Sequence, residues 1–147
     1  MVIRIVSRMS TRDSITTVMT TDPTTIDRSQ PISQAYRILM DAPFHHLLVV
    51  DGDEPAGIIA TSDILRLVYD VDASGDKALR SFLDHQFTID DAMSVDLKTL
   101  PTSASVTDAA ELLSDGSFHS VVIMDDDGSI AGIVTTTDLA RYVRDHL

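Results

Sequence analysis

The chain contains two copies of one sequence pattern, and this internal repeat constrains its fold more than any other feature. Residues 18–55 align with residues 92–129, and after one extra residue, Ile130, residues 56–70 align with residues 131–145. Of the 53 paired positions, 19 are identical, which is more than chance gives at this composition. Two copies in a chain of 147 residues predict two similar units packed about a pseudo-twofold axis.

Each copy has the same order of predicted elements, β-α-β-β-α, so the expected fold class is α+β with an α/β-like order. In the first copy a short strand at 25–26 precedes apolar residues at helical spacing between 32 and 40. An apolar strand, an Asp-Gly turn, a second strand and a final helix follow, and the second copy repeats this order. Because the strands are apolar throughout, helices are expected to cover both faces of each sheet.

The repeat divides the chain into four predicted segments. A lead segment at 1–14 precedes the first repeat at 15–70, a linker with a helix occupies 71–88, and the second repeat occupies 89–147. Ser, Gly and Asp at 74–76 predict a flexible connection at the start of the linker.

Composition excludes several kinds of site and partner. The chain has no cysteine, so disulfides, thiolate metal sites and a cysteine nucleophile are excluded. A net charge of −12 argues against a duplex nucleic acid as partner, because phosphate neutralisation needs clustered Lys and Arg. No apolar run approaches the roughly 20 residues that a membrane span needs. The N-terminus lacks the apolar core of a signal peptide, so a cytoplasmic protein is expected.

The acidity has a particular composition. Of the 23 acidic residues 21 are Asp, and only two of the 11 basic residues are Lys. An acidic surface depleted in Lys stays soluble where concentrated salt screens its self-repulsion. This pattern resembles the proteins of salt-accumulating archaea, and the alternative is an ordinary acidic protein.

Each copy of the repeat contains the same short motifs in the same order. Each copy has Met-x-x-Asp, Thr-apolar, a helix, then His-x-apolar-apolar-Val/Ile-apolar-Asp, and finally Gly-Ile-apolar-x-x-x-Asp-apolar. The motifs begin at Met19 and Met93, and their final aspartates are Asp63 and Asp138. This order of motifs resembles the CBS domain, named for cystathionine β-synthase, and two in tandem resemble a Bateman module. The resemblance covers nearly the whole chain, twice over and at constant spacing.

The resemblance implies a regulatory module, not an enzyme, that binds an adenosyl ligand such as AMP, ADP, ATP or S-adenosylmethionine. Such modules commonly pair into a flat disc, so a homodimer is expected, and the regulated protein is expected to be another, unidentified chain. The alternative is a ligand-free module that serves only assembly. An enzyme acting on nucleotides has little support, because no Gly-x-Ser-x-Gly elbow, Walker loop or His-Glu-x-x-His helix is present.

A strand-to-helix connection at 132–139 carries the chemistry expected of a nucleotide site. A helix N-terminus offers free backbone N–H groups and a positive dipole end, which suit phosphate. Thr135 and Thr137 add hydroxyl donors, and the Asp138 carboxylate can accept hydrogen bonds from both ribose hydroxyls. The alternative is that Thr137 or Asp138 only caps the helix, although capping and ligand contact can coexist.

The resemblance further implies that each pocket combines residues of both repeats. The primary set joins the hydroxyls and carboxylate of the second repeat to a strand and a His-containing strand entry of the first: Thr24, Thr25, His45, His46, Leu47, Thr135, Thr137 and Asp138. The secondary set lacks a counterpart of the Thr135 hydroxyl, because Ala60 occupies the equivalent position. Its members are Ser62, Asp63, Lys98, Thr99, His119, Ser120 and Val121. No metal and no cofactor beyond the regulatory ligand is expected.

Three groups of polar residues have a structural alternative to a binding role. His45 and His119 either contact a ligand or stabilise the start of a strand. For Arg66 and Arg141, a solvated or salt-bridged helix face is favoured over a phosphate contact. For the acidic turn at 125–127, a solvated hairpin turn is favoured over a site for a hard cation.

Overall fold

The computed structural model describes residues 13–41, 46–69 and 75–146, and the chain divides into two compact units. The central unit is the continuous stretch Thr24–Leu97. The terminal unit joins Met1–Pro23 to Lys98–Leu147. Each unit contains one β-sheet with helices packed on it, which confirms the mixed α+β class expected from the repeat.

The elements follow the predicted order in both repeats. The strands are β1 (Thr20–Thr21), β2 (Thr25–Asp27), β3 (His46–Asp51), β4 (Glu54–Ala60), β5 (Thr99–Pro101), β6 (Ser120–Met124) and β7 (Ile130–Thr135). The helices of the described residues are α1 (Ile32–Asp41), α2 (Thr61–Leu67), α3 (Asp76–Gln86), α4 (Ile89–Ala92), α5 (Val106–Leu113) and α6 (Thr136–Asp145), and a 3-10 turn at Ile15–Thr17 precedes β1. Among the described residues, no helix combines the length and the apolar character that crossing a lipid bilayer requires.

The two sheets have equivalent topology and register. In the central unit the strand order is β2-β3-β4, with β2 parallel to β3 and β3 antiparallel to β4. In the terminal unit the order is β1-β7-β6-β5, with β5 parallel to β6 and β6 antiparallel to β7. Thr25 pairs with Leu48, and Thr99 pairs with Val122 at the equivalent position. The sequence repeat therefore extends to the pairing of individual residues.

Consecutive buried residues in the middle strands show that both faces of each sheet are covered. Leu47, Leu48 and Val49 are all buried in β3, and the range 121–123 of β6 is buried in the same way. Because neighbouring side chains of a strand point to opposite faces, a run of three buried residues needs packing on both sides. This confirms the burial expected from the apolar strands.

Each unit includes the first residues of the other repeat, which we call its leading segment. In the terminal unit, β1 pairs antiparallel with β7, and Thr21 lies opposite Gly132. In the central unit, Ser94 forms an antiparallel bridge with Ile58 of β4. The leading segment of the first repeat thus completes the sheet of the second, and the leading segment of the second repeat extends the sheet of the first.

Glycines stand where these leading segments cross the strands. A Cβ atom added at Gly132 would lie 2.6 Å from the carbonyl oxygen of Thr20, and one added at Gly57 would lie 2.7 Å from that of Ser94. Real Cβ atoms essentially never approach another heavy atom so closely. The close approach of the two backbones therefore requires glycine at both matched positions.

The linker helix α3 packs against α1 of the central unit and is hydrogen-bonded to it. The hydroxyl of Tyr36 donates to the Asp76 carboxylate at 2.8 Å, and this bond raises the pKa of Tyr36. The amide and hydroxyl of Ser33 donate to the two carboxylate oxygens of Asp84, at 2.8 Å and 2.6 Å. Leu83 of α3 is fully buried. Residues 71–74 of the predicted linker and residues 1–12 of the predicted lead lie outside the described part of the chain.

Candidate functional site

The residues of the terminal unit that are predicted to contact phosphate and ribose lie at the start of α6. Thr135 is the N-cap residue, and its hydroxyl accepts a hydrogen bond from the Asp138 amide at 3.2 Å. In return, the amide and hydroxyl of Thr135 donate to Oδ2 of Asp138, at 2.9 Å and 3.1 Å. This reciprocal arrangement is a capping box, so Asp138 takes part in capping the helix, which leaves a ligand contact possible beside it. The cap is Thr135, whereas the sequence pattern pointed to Thr137 or Asp138.

The capping box leaves the Asp138 carboxylate with further capacity to accept. Its side chain is only 10% exposed, and Nη1 of Arg141 lies 3.5 Å from Oδ1. An ionised carboxylate has about four acceptor sites, and the capping box occupies two of them on Oδ2. Oδ1 therefore faces an exposed arginine across a long ion-pair distance and can still take donors from a bound molecule.

The equivalent helix start in the central unit has only half of this arrangement. The amide of Ala60 donates to Oδ2 of Asp63 at 2.7 Å, but alanine offers no hydroxyl to accept from the helix. Nη1 of Arg66 lies 3.5 Å from Oδ1 of Asp63, whose side chain is 19% exposed. Arg66 and Arg141 therefore form the same ion pair one turn along each helix, as favoured from the sequence.

The remaining candidates of the central unit lie along β2 and at the entry to β3. The carbonyl oxygen of Thr24 accepts from the Leu48 amide at 3.4 Å, so this oxygen is part of the sheet, while Thr25 is exposed. His46 pairs with Ala60 across the β3–β4 ladder. Leu47 is fully buried in the hydrophobic core, so its side chain is already packed. His45 lies outside the described residues, and Ser62 is exposed in the first turn of α2.

The remaining candidates of the terminal unit lie at the equivalent places. The side-chain nitrogen of Lys98 lies 4.8 Å from the centre of the Phe118 ring, which is a cation–π contact. The carbonyl oxygen of His119 accepts from the Thr136 amide at 3.1 Å, so the His119 backbone lies beside the start of α6. Ser120 and Val121 are buried in β6, whereas Thr99 and Thr137 are exposed. Each predicted set therefore divides over both units.

The acidic turn between β6 and β7 is organised by Ser129. The amide and hydroxyl of Ser129 donate to Oδ1 of Asp127, at 2.9 Å and 2.6 Å, and these bonds lower the pKa of Asp127. The same hydroxyl lies 3.3 Å from Oδ2 of Asp125. Within the described ranges, no group of three or more His, Asp or Glu residues is placed to hold a metal ion.

The capping box supplies a prediction about stability that needs no ligand. Thr135→Ala is expected to lower the free energy of unfolding by about 1 kcal/mol, because the Asp138 amide loses its acceptor. Ala60→Thr is expected to raise it by about 0.5 kcal/mol, because the hydroxyl completes the second box. Urea unfolding in concentrated salt, followed by circular dichroism, measures both changes. Thr137→Ala is the control, and a larger loss for Thr137→Ala than for Thr135→Ala would assign the cap to Thr137.

Comparison with known protein families gives a match in both repeats. The model of the CBS domain family matches residues 15–70 and again residues 89–145. The two matched stretches together cover more than half of the chain.

Two curated relatives share this stretch as a part of longer proteins. An uncharacterized protein of Methanocaldococcus jannaschii, MJ1404, is 26% identical over 147 residues, which cover 95% of this chain and 34% of that protein. An inosine-5'-monophosphate dehydrogenase of Nitrosopumilus maritimus is 27% identical over 125 residues, which cover 84% of this chain and 23% of that protein. The chain thus spans about a quarter to a third of these relatives.

Solved structures of other CBS proteins share the fold. A CBS domain-containing protein of unknown function from Bacillus anthracis has a TM-score of 0.76 at 16% identity and covers 93% of this chain and 96% of its own. CBSX2 in complex with AMP has a TM-score of 0.72 at 22% identity, with coverages of 90% and 97%. The CBS domain pair of MJ0100, in complex with 5-methylthioadenosine and S-adenosyl-L-methionine, has a TM-score of 0.72 at 23% identity, with coverages of 90% and 96%.

Proposed function

Because the chain belongs to the CBS domain family, we propose that it is a regulatory module that binds an adenosyl ligand and passes the occupancy to a partner protein. The ligand classes are AMP, ADP, ATP and S-adenosylmethionine. Two structural neighbours were solved with ligands of this kind, AMP in one and 5-methylthioadenosine and S-adenosyl-L-methionine in the other. The module's role in this proposal is regulatory rather than catalytic, and its expected location in the cytoplasm remains part of the proposal.

The start of α6 is the observation that carries this proposal. Ten helical residues follow Thr135, and the positive end of such a helix dipole favours a phosphate there. The Thr136 and Asp138 amides already donate to the His119 carbonyl and the Thr135 hydroxyl, so the dipole and not a full set of amides supplies the attraction. The Asp138 carboxylate is nearly buried and fixed in orientation by the capping box, so it can accept ribose hydroxyls without losing further side-chain freedom. A fixed acceptor beside a helix N-terminus is the pairing that a nucleoside phosphate needs.

The primary set is proposed as the stronger binding set. It includes Thr135, whose hydroxyl lies at the helix start, whereas Ala60 removes this group from the secondary set. The secondary set keeps Asp63 as an acceptor and adds the ammonium group of Lys98, which lies over Phe118. We therefore expect one dominant binding event per chain, with a second, weaker one at most.

Isothermal titration tests the proposal directly. The folded protein in concentrated KCl is expected to give heat of binding with at least one of AMP, ADP, ATP and S-adenosylmethionine. Concentrated salt is used because the net charge of −12 repels anionic nucleotides when it is unscreened. Absence of heat with all four ligands would contradict ligand binding.

A matched pair of aspartate variants separates ligand contact from helix capping. Asp138→Ala is expected to weaken binding at least about tenfold, the usual cost of losing hydrogen bonds to a charged group. Asp108 is the control, because it forms the same kind of capping box with Ser105 in the terminal unit and belongs to neither binding set. Both variants are expected to lose similar stability. Equal weakening of binding by Asp108→Ala would show that Asp138 affects binding only through the stability of the protein.

The second candidate function is a ligand-free assembly module. Ala60 favours it for the central unit, since the helix start there lacks the hydroxyl. If the chain binds no ligand, Asp138→Ala and the Asp108→Ala control are expected to bind the partner equally well. They are also expected to have the same thermal stability in the presence of nucleotide.

The assembly expected from the sequence is a homodimer. A small chain that divides into two compact units gains stability by burying one more face against a second copy. Sedimentation velocity in concentrated salt measures the mass in solution and decides between one and two copies.

A further inference from the structure

Asp13 is hydrogen-bonded to both α5 and α6 of the terminal unit. Its carbonyl oxygen accepts from the amide of Val106, the first residue of α5, at 2.8 Å. Its carboxylate accepts from the hydroxyl of Tyr142 in α6. Tyr142 is 8% exposed, and Ile15, two residues after Asp13, is fully buried in the terminal core. Asp13 therefore links two helices at the place where the chain enters the core.

The repeat has apolar residues at the equivalent positions of the central unit. By the spacing of the two copies, Phe87 corresponds to Asp13 and Leu67 corresponds to Tyr142. Both Phe87 and Leu67 are partly buried and pack against the central core. The bond between Tyr142 and Asp13 is therefore not required to form a unit of this fold. A single hydrogen bond adds little net free energy to a fold, so this bond can open without unfolding the unit.

The helix that binds Asp13 also carries the proposed ribose acceptor. Asp138 and Tyr142 lie four residues apart in α6, so their side chains are neighbours on one face of the helix. The ring of His146, four residues further on, lies 4.1 Å from the ring of Tyr142. Because the backbone hydrogen bonds of a helix keep its residues at fixed separations, a ligand that fixes Asp138 also fixes the position from which Tyr142 donates to Asp13.

We propose that the hydrogen bond between Tyr142 and Asp13 couples the ligand site to the docking of Asp13, and that this docking is the change that a partner protein recognises. The proposal rests on the proposed function and names the contact through which that function acts. A bound ligand holds α6 where Tyr142 meets Asp13. By linkage, the formed bond strengthens ligand binding by the same factor. Because one hydrogen bond is involved, this factor is at most about fivefold.

The exchange rate of the Val106 amide measures the docking of Asp13. The first amide of a helix has no acceptor within the helix, so the Asp13 carbonyl oxygen protects Val106 from exchange with solvent. NMR hydrogen exchange in concentrated KCl is expected to show that AMP, ADP, ATP or S-adenosylmethionine, whichever gives the largest heat of binding, slows this amide up to about fivefold.

The Asp108 amide is the internal control for this measurement. It donates to the Ser105 hydroxyl in the same turn of α5, and it is expected to keep its rate when the ligand binds. Equal slowing of the Val106 and Asp108 amides would overturn the proposal, because α5 as a whole would then respond rather than its contact with Asp13.

Tyr142→Phe removes the hydroxyl and keeps the ring. It is expected to speed exchange of the Val106 amide without ligand, to abolish the slowing by ligand, and to raise the ligand dissociation constant up to about fivefold. Tyr36→Phe is the matched control, because it removes a hydroxyl bonded to Asp76 in the central unit, and it is expected to change none of the three quantities. Asp13→Asn keeps an acceptor and is expected to keep the coupling, whereas Asp13→Ala is expected to lose it.

These measurements separate the coupling from the function on which it rests. No heat with any of the four ligands would contradict the proposed function and the coupling with it. Heat of binding with an unchanged exchange rate of the Val106 amide would overturn the coupling alone. Equal weakening of binding by Tyr142→Phe and Tyr36→Phe would do the same and would leave ligand binding intact.

Discussion

Gly132→Ala is expected to lower the free energy of unfolding by about 3 kcal/mol, the upper part of the range for overpacked sites. The added Cβ would lie 2.6 Å from the backbone carbonyl oxygen of Thr20, and a backbone atom cannot move aside as the end of a flexible side chain can. The substitution must therefore push β1 away from β7. Gly57→Ala is expected to have an effect of the same size, because the carbonyl oxygen of Ser94 lies 2.7 Å from its added Cβ.

Thermal and urea unfolding of three further variants identify the cause. Gly116→Ala adds a Cβ that meets nothing within 4 Å, so only its φ of +80° opposes alanine, and a loss of about 1 kcal/mol is expected. Met19→Ala removes the side chain whose Sδ atom lies 3.0 Å from the added Cβ at Gly132. Combining Met19→Ala with Gly132→Ala is not expected to restore stability, since the Thr20 carbonyl remains. A full rescue would show that the methionine, and not the backbone, limits the site.

Ile123→Ala is expected to lower the free energy of unfolding by about 4 kcal/mol, within the range for core substitutions that replace a large buried side chain by alanine and leave a cavity. Ile123 is fully buried in β6, the strand that lies between β5 and β7 in the terminal sheet. Strands on both sides limit how far the surroundings can relax into the space left by the side chain.

Val143→Ala is the surface control for this substitution. Val143 lies on the exposed part of α6, and alanine has the better helix propensity, so a change of less than about 0.5 kcal/mol is expected. Urea unfolding gives both values from the midpoints at constant slope. A loss of under about 1 kcal/mol for Ile123→Ala would mean that the terminal core relaxes around the cavity, contrary to a closely packed sheet.

The sequence predicts the elements that have a periodic pattern. The apolar runs of β3 and β6 and the helical spacing of α1 and α5 appear where they were expected. The exchange of leading segments was not predictable, because β1 has only two residues and finds its partner near the far end of the chain. A two-residue strand is too short to show a periodic pattern, and the residues around it do not indicate which distant strand it pairs with.

The sequence also predicts only a part of the candidate site. The strand-to-helix connection was predicted because Ser, Thr and Asp cluster where an apolar strand ends. The identity of the cap was not, because Thr135, Thr136 and Thr137 are equally suited to capping by type and only the backbone geometry selects Thr135. The ion pair of Arg141 with Asp138 was predictable from their spacing of three residues on one helix. Which ligand the primary set binds stays a prediction.

The exchange of leading segments also sets the order in which the chain can be completed during its synthesis. The central unit is one continuous stretch, Thr24–Leu97, so all of its contacts exist once residue 97 has left the ribosome. β1 emerges earlier, yet its partner β7 begins only at Ile130. A ribosome that stalls after residue 97 has emerged and before β7 has been translated therefore carries a finished central unit and a β1 strand whose partner has not been made.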